Sequence, residues 1–504
     1  MSAAPNVGYT RPELEEKLDQ YQTIRDCMEG EYAIKKFPRC RKYLPDPDPF
    51  LEDDERKNAI YGRYLMRPPW YGVARRTRDA LVGEVFKRAA IIKLPTGLEL
   101  LKDDVDGDGL TLEQQMTTSL KECVDIGRGG LFVDYTTTTR GGEEEGIVTL
   151  ADVESGNVRP TIVRYKAEDI VNWRKMRIGS KTVTSQVVLQ ETFVASDDGY
   201  EQKLGEQRRE LLLEPYEGGL FVNCLIWRKL KDQKTGEEKW TLVQEFKLID
   251  HAGKAFDEIP FEIFGSEDNN WTIDPCPMMP ITALNYAHFR VSADVYASAF
   301  KAGNAQLVTQ GLFLDAAKGE RLQIGPNTAL MLPSKDADAK YISAPADTLN
   351  MALLEKITEQ LTSLAAKIIR EGLIRKTATQ VKIDESAETS TLTTYANNVS
   401  RAYTKAFKHA ARYTGDDASG IVCKLNTQFD FTEADSQRLL AYVTAKDSGV
   451  LTLEEVRDRL IEEGVATKPY DEFIEDMKKP ENMPAETTTT NAAGGGAAQT
   501  VAMA

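Results

Sequence analysis

Three carboxylates at alternate positions, Asp104, Asp106 and Asp108, followed by Gly109, suit residues 103–115 (DDVDGDGLTLEQQ) to hold a hard cation. Alternating aspartates can offer several oxygens to one calcium ion, and the glycine permits a sharp turn. Such a loop closes on a bidentate carboxylate at its twelfth position. Counted from Asp104, that position is Gln115, a neutral amide, and the nearest acid, Glu113, comes two residues early. The preceding stretch IIKLPTGLELLKDD carries Pro95 and Gly97 where a helix should enter the loop. The spacing therefore predicts a solvated turn, with Thr111 and Gln114 forming a capping box that opens the helix LEQQMTTSLKECVDIG.

Other chemistry-bearing residues are dispersed. The three histidines, His251, His288 and His409, stand far apart, and the six cysteines include no CxxC pair. That usage suits free thiols in a reducing cytoplasm better than a disulfide framework or a zinc site. GRGG at 127–130 lacks the spacing of a dinucleotide loop, and GxxxxGK[ST] is absent. No catalytic residue, metal or cofactor is expected.

With 504 residues and 41 % hydrophobic content, the chain is long enough for several folded units. No apolar run approaches a membrane span, and MSAAPNVGYTRPELEEK has no apolar core of a secretory signal. The 63 basic and 79 acidic residues leave a formal charge of −16. A tight duplex reader carries a basic face that releases counterions, and this composition advertises none.

The elements that must position any site come in blocks. Residues 11–36 read as one charged helix, DPDPFLEDDERKNAIYGRYLMRPP as a loop that becomes helical, and YGVARRTRDALVGEVFKRAA as a helix. In that last helix, Arg75, Arg76 and Arg78 are expected on a solvated side. From about 129 to 265 the pattern turns to antiparallel strands, and SDDG and KTGEE read as hairpin turns between them. At Pro280 a helix of about 24 residues begins, rich in alanine and serine. A mixed segment with strands near 307–310, 328–332 and 341–343 follows. A second long helix is capped by Asp347, closed by Gly372, and striped by Leu353, Ile357, Leu361, Leu364 and Ile368. Two long helices bracketing a small β excursion predict an antiparallel hairpin with something held at its tip. A third long helix runs through STLTTYANNVSRAYTKAFKHAARYTG, short helices occupy 433–478, and PAETTTTNAAGGGAAQTVAMA is a low-complexity tail. LTLEEVRDRLIEEG has the shape of half a helix-turn-helix, but its glutamates make it a poor reader of a DNA groove.

This order resembles the portal proteins of tailed bacteriophages, and most nearly a branch known only as a portal-like domain of unknown function. The resemblance runs from about residue 60 to 475. It rests on RRTRDALVGEVFKR (75–88), DGDGLTLEQQ with GRGGLFVDY, RYKAEDIVNWR (164–174), LNYAHFRVSADVYASAF (284–300) and the TAT…DESAETSTL stretch (377–392). It implies an α+β portal fold. Residues 1–278 would give N-terminal helices and a β-rich wing, 279–304 a first stem helix and 305–347 a small α/β clip. A second stem helix (348–372), a tunnel-loop region (373–390) and a long wing helix with a following strand (391–432) would come next, then a helical crown (433–480) and a disordered tail (481–504).

The implied function is a ring of twelve copies at one capsid vertex. It would be a DNA channel for viral genome packaging and later ejection, assembled in the host bacterial cytoplasm and carried in the virion. The implied partners are other copies of the chain, the major capsid protein, the terminase large subunit, the head–tail connector and double-stranded DNA read without sequence preference; no membrane is involved. Candidate channel residues are Lys356, Lys367, Arg370, Arg375, Lys376 and Lys382, and candidate clip residues for terminase docking are Asp315, Lys318, Glu320, Arg321, Lys335 and Asp336. A conduit should let DNA slide, and twelve copies at −16 each would oppose adhesion to phosphate. The sign alternation Glu355, Lys356, Glu359, Lys367, Arg370 and Glu371 equally suits salt bridges between neighbouring copies. The competing readings are another virion structural protein, such as a tail hub or adaptor, and a metal-dependent enzyme built on the β region.

Overall fold

The computed structural model describes residues 6–135, 158–216, 219–231, 236–310, 338–343, 347–373, 391–427, 429, and most of 441–478. Its N-terminal helices are α1 (Pro12–Glu29), α2 (Glu31–Lys35), α3 (Cys40–Tyr43), α4 (Asp54–Met66) and α5 (Val73–Val85). The single helix expected over 11–36 is thus two. Gly30, at φ 99°, breaks it in a backbone region that L side chains avoid, and its own N–H closes α1 on the Asp26 carbonyl. The expected solvated side of α5 also needs correction. Arg75 and Arg76 are exposed, but Arg78 is largely buried and donates to Asp125 at 3.0 Å. Periodicity marks the apolar stripe and is blind to a cation that finds a buried partner.

After β1 (Ile91–Lys93) and a 3-10 turn over Thr96–Lys102 comes α6 (Leu112–Asp125), opened by the expected Thr111–Gln114 capping box. The strands expected between 129 and 265 form, and every pair is antiparallel. They divide into two sheets. One has β2 (Arg128–Tyr135) between β3 (Pro160–Lys166) and β9 (Phe261–Gly265). Leu131, Phe132, Val133 and Ile162 are fully buried there, and covering both faces explains why β2 reads as a continuous apolar run. The other is a five-stranded meander of β4 (Ile170–Ile178), β5 (Lys181–Asp197), β6 (Gln202–Tyr216), β7 (Gly219–Lys231) and β8 (Glu238–Lys247).

Two long helices follow, α7 (Met279–Gly303) and α8 (Thr348–Leu373), with the paired strands β10 (Gln306–Gln310) and β11 (Asp338–Ile342) between them. The strand expected at 328–332 lies outside the described residues. Helix α8 runs one residue past the expected glycine stop. The last long helix, α9 (Thr391–Thr414), packs on the three-stranded sheet and α6, burying Val399, Tyr403, Ala406 and Phe407 completely. Full burial of each large apolar side chain contributes roughly 1.5–3 kcal/mol. Polar links fix its register: Tyr403 Oη donates to Gln115 Oε1 at 3.0 Å, and Asn398 Nδ2 donates to the Gly265 carbonyl at 2.9 Å. Strand β12 (Val422–Lys424) then pairs with β1.

The chain divides into two compact units, Met1–Phe429 and Asp430–Ala504. Within the second, α10 (Leu453–Glu462) starts with a Thr452–Glu455 capping box, and Arg457 stacks 4.1 Å over the Phe473 ring of α11 (Tyr470–Met477). The architecture is α+β. None of the described helices is long and apolar enough to cross a membrane.

Candidate functional site

The hairpin of α7 and α8 is built on a fixed base. Asn285 of α7 accepts from the Val73 and Ala74 amides at 3.0 and 3.1 Å, supplying the N-terminal cap that Gly72 cannot give α5. Tyr286 stacks on Tyr43 at 4.5 Å and donates to the Thr23 carbonyl, and Arg290 donates to the Tyr43 carbonyl. Small Ser292 and Ala293 are buried. Beyond Ala293, no residue of α7 is buried.

Helix α8 mirrors this gradient. Leu361 is fully buried, Ile357 and Ala365 nearly so, while Leu353 is 41 % exposed although it belongs to the same stripe. Asp347 caps the helix as expected, accepting from the Asn350 amide at 3.0 Å, and it also accepts from Ser298 of α7 at 3.2 Å. One carboxylate therefore ties the start of α8 to the end of α7. Replacing Asp347 by alanine should cost about 1 kcal/mol, read as a lower urea midpoint. An unchanged midpoint would mean the cap and strap contribute nothing.

The far half of the hairpin exposes an apolar surface that sequence reasoning missed. Tyr296, Phe300, Val308, Tyr341, Leu349 and Met351 are all more than 40 % exposed. A usable signal was present for one of them: Met351 falls outside the i, i+3, i+4 stripe and has no core to face, whereas Leu349, four residues before Leu353, continues the stripe past the end of the core. Of the expected channel residues, Lys356 and Lys367 are exposed on α8. At 100° per residue they lie within about 20° of one another, and Glu355 and Glu359 lie roughly 90° round the helix. The Arg370 side chain, together with Arg375, Lys376 and Lys382, lies outside the described residues, as do Asp315, Lys318, Glu320, Arg321, Lys335 and Asp336.

The acidic loop has another occupation. Asp104 Oδ1 accepts from the Gly107 and Gly109 amides at 2.8 and 3.1 Å, and Arg159 pairs with its carboxylate. Burial works against this charge, but those amides and Arg159 outweigh it and hold the Asp104 carboxyl below its usual range. Asp106 accepts from the Asp108 and Leu110 amides. Gln115, at the would-be chelating position, is buried and donates to the Ile162 carbonyl at 2.7 Å while accepting from Tyr403. The loop is a self-satisfied turn that fastens α6 to β3 and α9.

The histidines and cysteines also have structural settings. His409 Nε2 lies 3.1 Å from Glu262, and His251 Nδ1 lies 3.3 Å from the Arg412 carbonyl, so these two border the same end of α9 despite their sequence distance. His288 is buried beside Tyr71, and burial lowers its pKa. All six cysteines are buried and free. Among the described residues, no three His, Cys, Asp or Glu side chains gather as a metal site would require.

Residues 277–414 match a family model described as a domain of unknown function (DUF4055). The matched stretch begins just before α7 and ends with α9. It therefore takes in the hairpin, its β10–β11 excursion and the helix that fills the core. No curated protein matches the chain.

Proposed function

We propose that the chain is a portal-type subunit, one of a ring of copies through which double-stranded DNA passes at a capsid vertex. The observation that carries this reading is the hairpin. Two antiparallel helices of 25 and 26 residues leave a packed base and end in an uncovered apolar tip around a two-stranded ladder. An isolated hairpin with that surface is a liability in water, whereas a ring of hairpins buries it against neighbours. The basic and acidic flanks of α8, about a quarter turn apart, suit side-by-side repetition, since each copy offers a different flank to each neighbour.

In this reading the ring acts without catalysis. DNA slides past a surface whose net charge is negative, with Lys356 and Lys367 as isolated phosphate contacts, and the tip between β10 and β11 docks the terminase large subunit and later the head–tail connector. The surrounding shell is the major capsid protein.

The test is negative-stain electron microscopy of the purified chain with its mass in solution. The expected result is a ring with a central hole and a mass near twelve copies. A monodisperse monomer that stays monomeric in the presence of its capsid or scaffold proteins would overturn the reading.

A further inference from the structure

Strands β5 and β6 run on past their neighbours as a two-stranded arm. Strand β4 pairs with β5 only as far as Leu189, and β7 pairs with β6 only from Gln207 onward. Every residue from 194 to 204 is exposed, including the cross-strand pair Val194 and Leu204. A ribbon with neither face covered is marginal in water unless something packs on it. At its tip, Asp197 accepts from the Gly199 amide at 2.8 Å, and Asp198 accepts from the Tyr200 and Glu201 amides at 2.9 and 2.6 Å. Those bonds fix a turn in which Asp197, Asp198 and Glu201 surround Tyr200, whose ring is fully exposed.

The start of β5 has the opposite character. Arg174, Lys175 and Arg177 of β4 and Lys181 of β5 are exposed and, among the described residues, have no carboxylate partner. Side chains alternate along a strand, so Lys175 and Arg177 stand on the face of Trp173. That face borders a cleft of about 540 Å³ between the start of α1, β4 and residues 271–273. Trp173 and Trp271 give the cleft its aromatic lining, and Arg11, Lys17 and Lys175 are its cations. Of its two carboxylates, Glu13 is taken up by Arg11 at 3.2 Å, which leaves Glu16 against two lysines. Buried Arg128 lies 4.1 Å over the Trp173 ring, and its guanidinium finds no hydrogen-bond partner among the described residues. Its charge therefore adds to the positive potential of the cleft.

We infer that this cleft receives the acidic, Tyr200-bearing turn (residues 197–201) of a second copy of the chain. Within one chain the two cannot meet. Trp173 is paired with Val187, and β5 from Val187 to Asp197 holds cleft and turn about 30 Å apart. No residue of the turn lines the cleft. Two different patches that fit between copies make a head-to-tail contact, which can close into a ring. A tyrosine set among carboxylates complements an aromatic cleft edged by cations, and Tyr, Trp and Arg are the residues that dominate such contacts. The bonds that fix the turn lower the freedom it loses on docking. The inference rests on the ring reading and assigns one of its contacts.

The experiment is thiol cross-linking in the full chain, beside electron microscopy of the wild type. E201C places a thiol on the turn and T272C one at the cleft, while all six native cysteines are buried. A short bis-maleimide cannot join those two sites within one chain. In E201C/T272C it should link successive copies into a ladder on a denaturing gel, and either single-cysteine chain should stay monomeric. Adding K175E/R177E should weaken the linking by about tenfold or more. Wild-type rings without a ladder, a ladder unmoved by K175E/R177E, or product that stops at a dimer would overturn this contact and leave the ring reading standing. A ladder without rings would keep the contact as an open head-to-tail one and remove the ring. Neither rings nor a ladder would remove both.

Discussion

Replacing Glu122 by alanine should destabilise the larger unit by about 3–5 kcal/mol, the largest loss expected from any single polar substitution in this chain. Glu122 is buried on α6 and accepts twice from Arg25 of α1, at 2.6 and 3.1 Å. It also accepts from the Ala167 amide in the turn between β3 and β4, and Arg25 reaches on to Glu168 of that turn at 2.6 Å. Burial works to lower the Arg25 pKa, but Glu122 and Glu168 outweigh it and raise it above its ordinary value, so the charge is retained. Alanine at 122 would leave that cation half compensated and the Ala167 N–H without its partner. Chemical unfolding followed by tryptophan fluorescence measures the loss. Glu122→Gln, which keeps an acceptor but not the charge, should fall between the two. A double replacement of Arg25 and Glu122 by methionine should recover part of the loss, because a missing partner costs more than a missing pair. If alanine alone costs under about 1 kcal/mol, the network behaves as a surface ion pair and does not hold α1 to the core.

That network shows where sequence reading stops. The hairpin helices, the Asp347 cap, the Thr111–Gln114 box and most strands were legible because each depends on neighbours within a few residues: a period, a cap, a turn. Arg25 with Glu122, Tyr403 with Gln115 and Arg78 with Asp125 depend on which segments meet after folding, and no local period encodes that. Asp125 illustrates the consequence, since burial lifts its carboxyl to about 7 against the pull of Arg78, a setting invisible in the string VDIG. The division of the β region into two sheets was hidden for the same reason. Strand β9 joins β2 across more than a hundred residues, while β4 to β8 pair with successive neighbours. The candidate site was legible as a hairpin and not as a surface, because exposure of Leu349 or Phe300 follows from where the core ends. The glycines of GRGG lack the spacing of a dinucleotide loop, and what they pack against needed the structure.

That packing gives the second large effect: Gly130→Ala should cost about 3 kcal/mol. Gly130 sits in the central strand β2, opposite Tyr165 on one side and Ile263 on the other. A Cβ built there would lie 2.1 Å from the tip of the Phe261 ring, and one on Gly129 would lie 2.3 Å from Phe264. Phe261 cannot swing aside cheaply. Its ring stacks on Trp271 at 5.7 Å, Trp271 stacks on Trp173 at 5.8 Å, and the Arg128 guanidinium lies 4.1 Å over Trp173. A methyl group at 130 therefore pushes against a column of three rings and a buried cation. The change should appear as a lower unfolding midpoint with an altered near-ultraviolet dichroism from the tryptophans. Gly83→Ala is the matching control of opposite sign. That position is exposed on α5 with nothing within 4 Å of a new Cβ, so alanine there should stabilise by up to about 1 kcal/mol. A Gly130→Ala chain with wild-type stability but lost nucleotide or phosphate affinity would instead assign the glycines to a ligand. Loss of stability without any such affinity in the wild type assigns them to the aromatic column, and through it to the sheet on which α9 packs.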